Sequence, residues 1–502
     1  MREFWVATAD PDVRNIKPVK QEKDRRSIVG IRIYNTYTRR KEELKTVTPG
    51  KVNMYLCGLT VYNYFHIGNA RPLIVFDMFR RYLQFRGYEV KYVVNITDVD
   101  DRIIQTAIEE NVPAEAVASK YIDAYFEDTK RLGILKPDVS PKATDHIKEM
   151  ISWIEKLIDR GYAYKSNGDV YYHVDKFEEY GHLSGKQIDE LQAGARVEVG
   201  DKKHAPLDFA LWKSAKPGEP AWQSPWGEGR PGWHIECSVM SMKYLGETFD
   251  IHAGGSDLAF PHHENEIAQS EGGSGKKFVN YWMHNGFVNF EGEKMSKSLG
   301  NFFTAREILE KYSPEVIRMF FLLKHYKSPI NFSEERIAEA RGALERIRST
   351  MTNIEEAISG SECGDDFDSE IIDNIKKEFV DAMDDDFNTA IGISKIFDLV
   401  KEANLILLKE EIDDNDKCVL KAVRDTILEY NQFLGILPED EAGDSGSEDA
   451  GIFIDMLLDV RKELREAKQW ELADMIRDRL LEAGIEIKDK KDKTVWSRIL
   501  GH

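Results

Sequence analysis

From Ile31 to about residue 110 the apolar positions change period in a fixed order. VNMYLCGLTVY reads as a strand, NARPLIVFDMFRRYLQFRG has helical spacing closed by Gly87, and YEVKYVVNITDVDD reads as a second strand ending in acids. Strand, glycine-containing turn, helix and strand make one βαβ unit of a parallel sheet. Such sheets bind ligands beyond the carboxyl ends of their strands, where Cys57, His66 and Thr97 fall. Residues 140–232 break the pattern with turn-rich sequence such as KSNGDVYYHVDKFEEYGHLSG and KPGEPAWQSPWGEGRPG, which predicts an irregular insertion between two halves of the sheet. The α/β pattern resumes at GWHIECSVMSMKYLG, runs through FDIHAGGSD, and enters a helix expected to open at Pro261. After KMSKSLGN the chain is mostly helical.

These shifts divide the chain into an N-terminal extension (1–29), the first half of the sheet domain (30–139), the insertion (140–232) and the second half with its lysine loop (233–325). A helical bundle (326–437), an acidic Gly/Ser-rich linker (438–451) and a small C-terminal module (452–502) follow. A length of 502 residues requires more than one core. With 42% hydrophobic and 31% charged residues the composition is that of a soluble globular protein. No apolar run approaches the roughly 20 residues that span a bilayer. MREFWVATADPDVRN has no apolar signal segment, so a cytoplasmic location is expected. The net charge of -20 excludes a global basic surface; a nucleic acid would have to meet local basic patches.

FPHHENE places His262, His263, Glu264 and Glu266 side by side, but Ile267 stands where the protease pattern H-E-x-x-H needs its second histidine. The four cysteines, Cys57, Cys237, Cys363 and Cys418, are far apart and do not read as a disulfide framework. Cys363 and Cys418 have no ligand-type neighbours and are expected to be ordinary packing residues.

HIGNARP, His66 to Pro72, lies between strand and helix, so free helix N–H groups face the crevice. Gly68 lets a flat base approach the backbone, although a lone H-x-G more often reads as a capped turn. KMSKS, Lys294 to Ser298, sets two long ammonium stems in a small polar loop, as suits a triphosphate. Alone, it is a common kind of exposed loop.

The two together, in this order and more than 200 residues apart, are the signature pair of class I aminoacyl-tRNA synthetases. With MYLCGLTVYNYFHIGNARP, NITDVDDRII, GWHIECSVMS, FDIHAGGSDLAFPHHENEIAQSE, YWMHNGFV and KMSKSLGNFFT, the chain closely resembles the cysteinyl-tRNA synthetase family. The resemblance runs from about Ile31 through DDDFNTAIGISKIFDLV into the C-terminal module. It implies an α/β, Rossmann-type nucleotide-binding catalytic domain with an insertion, then a helical bundle and a small C-terminal anticodon-binding module. One departure is Asn69, where the family usually has histidine; its amide still donates to a phosphate or ribose oxygen.

The resemblance implies one zinc ion held by Cys57, Cys237, His262 and Glu266. Cys57 ends a strand at the crevice, Cys237 follows WHIE in the second half, and His262 and Glu266 stand four apart on one helix face. Two sulfurs, an imidazole and a carboxylate suit tetrahedral Zn²⁺. Zinc selects cysteine over serine, because an apolar pocket separates near-isosteres by only ~1–3 kcal/mol, whereas a thiolate binds the metal far better than a hydroxyl. No editing domain is therefore expected. Cys57, Thr97, Trp233, His252 and Asp257 form the implied substrate-binding set, with His252 placed to meet the substrate carboxylate or the α-phosphate. His263 and Glu264 are expected to orient the ligands or point away.

The implied reaction joins L-cysteine to tRNA(Cys) through cysteinyl-adenylate, releasing diphosphate and AMP, with Mg²⁺ accompanying ATP. The implied ATP-binding set is His66, Gly68, Asn69, Lys294, Ser296 and Lys297, of which His66, Asn69, Lys294 and Lys297 stabilise phosphate charge. Trp470 and Trp496 are candidates to stack on unpaired anticodon bases. The family suggests a monomer. Three other readings stay open: a cysteine ligase passing the same adenylate to an amino-sugar, a zinc hydrolase, and a non-catalytic RNA-binding paralogue, for which Asn69 is the one candidate lesion. The long C-terminal region argues against the first, and KMSKS is unexplained by the second.

Overall fold

The computed structural model describes residues 30–185, 203–290, 293–294, 303–359, 369–438, 445–466, 468–489 and 494–498, in places as backbone alone. Its central sheet is built from β1 (Lys51–Leu56), β2 (Glu89–Val94), β3 (Phe249–Gly255) and β4 (Val279–Asn285). All pairs are parallel and the order is β4–β3–β1–β2. The chain winds to one side of β1 and then to the other, so the crevice beyond Leu56 and Gly255 is the switch point where such sheets take ligands.

Three helices frame that crevice: α1 (Ile67–Phe85), α2 (Trp233–Leu245) and α3 (Glu264–Ser274). Nearly every residue of α1 is buried, because the sheet covers one side and the helical bundle the other. Its charged residues are paired inside. Asp77 meets Arg81 at 2.8 Å and Arg318 at 3.5 Å, and the Arg318 Nε donates to the Leu434 carbonyl. The bundle consists of helices Glu334–Ile358, Glu370–Asp384, Thr389–Leu407 and Asp414–Leu434. One continuous core runs from Ile33 and Val52 through Phe79 to Phe379 and Phe433, so sheet domain and bundle share an interior.

The insertion is more regular than its sequence suggests. After helix Ile147–Asp159, strands Ala163–Ser166, Asp169–Tyr172, Phe209–Ser214 and Gly229–Pro231 form an antiparallel sheet in consecutive order around Tyr172, Phe209 and Trp212. Its first hairpin turns on Asn167 (φ 51°) and Gly168 (φ 85°), a two-residue loop that needs positive φ at both positions. The Asn-Gly pair was the missed signal, masked by the shortness of the strands beside it.

Other expectations are corrected as well. The helix expected to open at Pro261 begins at Glu264; before it lies a wide turn, Ala259–His263, in which Phe260 is extended (φ -141°, ψ 132°). Helix Ser445–Glu466 starts inside the stretch read as a linker. Cys418 is disulfide-bonded rather than an ordinary thiol. Cys363 lies outside the described residues.

Candidate active site and metal centre

Four donors from four distant positions meet at the switch point. Cys57 follows β1, Cys237 lies on α2, His262 precedes α3 and Glu266 is in its first turn, and their ligand atoms all lie within 4.8 Å of one another, fully buried. Cys57 Sγ is 3.6 Å from Cys237 Sγ and 3.4 Å from Glu266 Oε1, and His262 Nε2 is 3.1 Å from the same oxygen. Bonds of zinc to N, O and S place tetrahedral ligands about 3.3–3.8 Å apart, so the spacing fits that ion. A second grouping, Cys57, His252, His263 and Glu266, shares two donors. Its histidines are otherwise engaged: His252 Nε2 lies 2.9 Å from Glu266 Oε2, and His263 Nδ1 lies 2.8 Å from His284 Nε2.

Burial raises the Cys57 thiol well above its usual range, helped by the neighbouring Cys237 and Glu266. Burial also acts on Cys237, but hydrogen bonding to Cys57 and His262 outweighs it and brings the thiol down to about 6. Burial opposes the charge on His262, yet Cys237 and Glu266 raise it to about 10. Glu266 falls to about 2 because His252 and His262 override its burial. Two of the four donors are thus anionic at neutral pH, gathered where a cation would be bound.

Trp233 is 39% exposed and its ring centre lies 4.3 Å from that of His262, forming a wall beside the Cys57, Cys237, His262 and Glu266 cluster. Thr97 is buried and donates to Glu236 Oε2 at 2.9 Å, while Asp257 is exposed at the end of β3. His252 departs from its expected role. It has no exposed surface and is packed between Trp282 and Tyr55 with Nε2 on Glu266, so it holds that carboxylate rather than opening toward the crevice. His263 touches Cys57 Sγ at 3.3 Å, whereas Glu264 points away and accepts from the Ser184 amide at 2.9 Å.

The two signatures are also brought together. His66 caps α1, and a Cβ on Gly68 would lie 2.8 Å from the His66 ring, so only glycine lets the ring lie there. The Asn69 amide donates to the His66 carbonyl. The chain after the lysine loop pairs with this turn: Ile67 N–H donates to Phe303 O at 3.1 Å and Ala305 N–H to Phe65 O at 2.8 Å. The Lys294 backbone pairs with Asn289, and Val288 borders Gly68. The Lys294 side chain, Ser296 and Lys297 lie outside the described residues. Of the tryptophans, Trp470 is 54% exposed, while Trp496 packs on the C-terminal module's small core, leaving Trp470 the freer to stack.

Residues not singled out in the sequence support this centre. Asn95 Oδ1 accepts from the Gly58 amide at 2.8 Å and faces Cys237 Sγ at 3.7 Å. His234 Nδ1 lies 2.9 Å from His262 Nδ1, which turns the opposite nitrogen of His262 toward Glu266. Its place beside Trp233 and three residues before Cys237 was the available signal for His234; Asn95 gave none.

Residues 43–342 match the family model for the tRNA synthetases class I (C) catalytic domain, and residues 378–438 match the DALR domain. The chain is similar to cysteine–tRNA ligase of Carboxydothermus hydrogenoformans, 50% identical over 472 residues, covering 93% of this chain and 100% of that protein. It is 50% identical over 479 residues to cysteine–tRNA ligase of Clostridioides difficile, at 93% and 100% coverage. In fold it resembles Mycobacterium tuberculosis methionyl-tRNA synthetase in complex with methionyl-adenylate, with a TM-score of 0.60 at 14% identity over 81% of this chain and 94% of that one. With two domain models in register and half of all positions shared over almost its whole length, the chain belongs to the cysteine–tRNA ligase family of class I aminoacyl-tRNA synthetases.

Proposed function

We propose that this protein activates L-cysteine with MgATP and transfers it to tRNA(Cys), selecting cysteine over serine at a zinc centre. The observation that carries the reading is the buried meeting of Cys57, Cys237, His262 and Glu266 beside the paired signature turns. A zinc ion held by those four residues supplies a soft Lewis acid that favours a thiol over a hydroxyl.

The chain's own residues do the rest. Trp233 walls the thiol subsite, and Thr97 and Asp257 orient the amino acid. His252 and His234 fix Glu266 and His262 as donors. The cysteine carboxylate attacks the α-phosphorus in line and diphosphate leaves. His66, Asn69 and the N-terminus of α1 meet the phosphates, with Gly68 leaving room for the nucleotide and Lys294, Ser296 and Lys297 completing the cradle. The terminal ribose hydroxyl of tRNA then attacks the acyl carbon and AMP leaves. The bundle and C-terminal module are assigned to tRNA, with Trp470 presented for base stacking. Among the described residues no helix is long and apolar enough to cross a membrane.

Incubation with ATP, labelled cysteine, a tRNA(Cys) transcript and an amino-sugar acceptor tests this reading. Label appearing on the tRNA supports it; label transferred to an amino-sugar, with none on tRNA, reverses it.

A further inference from the structure

The turn Asp384–Thr389 joins two helices of the bundle, yet most of its side chains are spent on the catalytic half. Asp384 accepts from the Tyr82 hydroxyl at 2.7 Å and pairs with Arg86 at 2.5 Å, both at the far end of α1. Asp385 pairs with Lys41 at 2.7 Å. Asp386 Oδ1 accepts from the Tyr34 amide and the Tyr326 hydroxyl, each at 2.8 Å, and its own amide donates to Arg32 O. Phe387 stacks on Phe79 of α1 with ring centres 3.9 Å apart, and Thr389 donates to Leu322 O at 2.7 Å. Only Asn388 turns inward, capping its own helix. Asp386 (φ 71°) and Phe387 (φ 50°) are both left-handed, an unfavourable backbone for a phenylalanine that persists where surrounding contacts over-determine it.

We propose that this turn is a latch that positions α1, and through it His66 and Asn69, with Asp384, Asp386 and Phe387 as positioning residues. Phe79 is about 18 Å along the helix from Ile67, and α1 is buried nearly throughout, so the helix carries a displacement at one end to the other. The metal donors hang on β1, α2 and α3, and no contact of the turn described above reaches those elements. Loosening the latch therefore disturbs phosphate handling and leaves cysteine selection intact. The inference rests on the reading above of His66 and Asn69 as phosphate-handling residues.

The test uses the full-length, zinc-loaded protein and cysteine-dependent ATP–diphosphate exchange. Asp386→Ala removes the acceptor, Asp386→Asn retains an oxygen and tolerates positive φ, and the double variant Tyr82→Phe/Tyr326→Phe removes only two hydroxyls. Asp386→Ala and the double variant are expected to lower kcat by about ten-fold or more. KM for cysteine and the cysteine-to-serine ratio stay unchanged, and Asp386→Asn recovers to within about two-fold of the parent. A double variant with the parent's kcat overturns the latch, as does a loss of kcat with a parallel rise in cysteine KM, which marks general loosening. Should Asp386→Ala fail to fold, the double variant decides. Absence of exchange in the parent protein overturns the functional reading itself, and the latch falls with it.

Discussion

His252 and Glu266 form a fully buried pair in which the imidazole Nε2 lies 2.9 Å from Oε2, leaving Oε1 to face Cys57 and His262. The carboxylate is thus divided between an oxygen that is held and an oxygen that is offered. His252→Phe keeps an aromatic ring and removes the donor. Zinc affinity measured by chelator competition is expected to fall about 10–100-fold. Unchanged affinity would show that His252 only packs.

Zinc uptake should release protons, and the number follows from the donors' charges. At pH 7 Cys57 and His262 are protonated, since both are raised, whereas Cys237 near 6 and Glu266 near 2 are already anionic. Binding therefore expels about two protons. Affinity falls as pH drops, and more steeply below about 6, where Cys237 also takes up a proton. Calorimetric titration in buffers of different ionisation enthalpy measures the count.

Gly58 has no room for a side chain, because an added Cβ would lie 1.6 Å from the Asn95 carbonyl oxygen. Gly58→Ala must push the end of β1 from β2 and carry Cys57 with it. A loss of about 3 kcal/mol or more is expected in chemical denaturation, together with substoichiometric zinc in the purified protein.

Arg71 is a fully buried guanidinium in α1 that donates to the carbonyls of Gly286, Phe287, His325 and Ser328. Burial lowers its pKa to about 10, so it stays charged at neutral pH. Arg71→Met strands these acceptors and should cost about 2–4 kcal/mol in urea unfolding. Arg71→Lys should recover only part, because one ammonium cannot span the fork.

The parallel sheet and its crevice were legible because strand, glycine turn and helix follow one another within residues 51–94. The meeting of Cys57, Cys237, His262 and Glu266 was legible only through family resemblance, since Cys57 and Cys237 are 180 residues apart and each alone reads as a packing residue. His252 was misread because its place in HAGGSD gives proximity to the site but not the direction of the ring. That direction is fixed by Trp282 and Glu266, on other elements. Nothing local marks the role of the Asp384–Asp386 run, whose partners Tyr82 and Tyr34 lie 302 and 352 residues earlier in the chain. Contacts of that range leave no local period to read.

The central claim is selection of cysteine at the buried centre of Cys57, Cys237, His262 and Glu266. Cysteine-dependent ATP–diphosphate exchange, repeated with serine and after zinc removal, tests it most directly. The account predicts brisk exchange with cysteine, at least about 10⁴-fold less with serine, and collapse of that discrimination when zinc is stripped. Comparable exchange with serine, or full selectivity in the zinc-free protein, would contradict it.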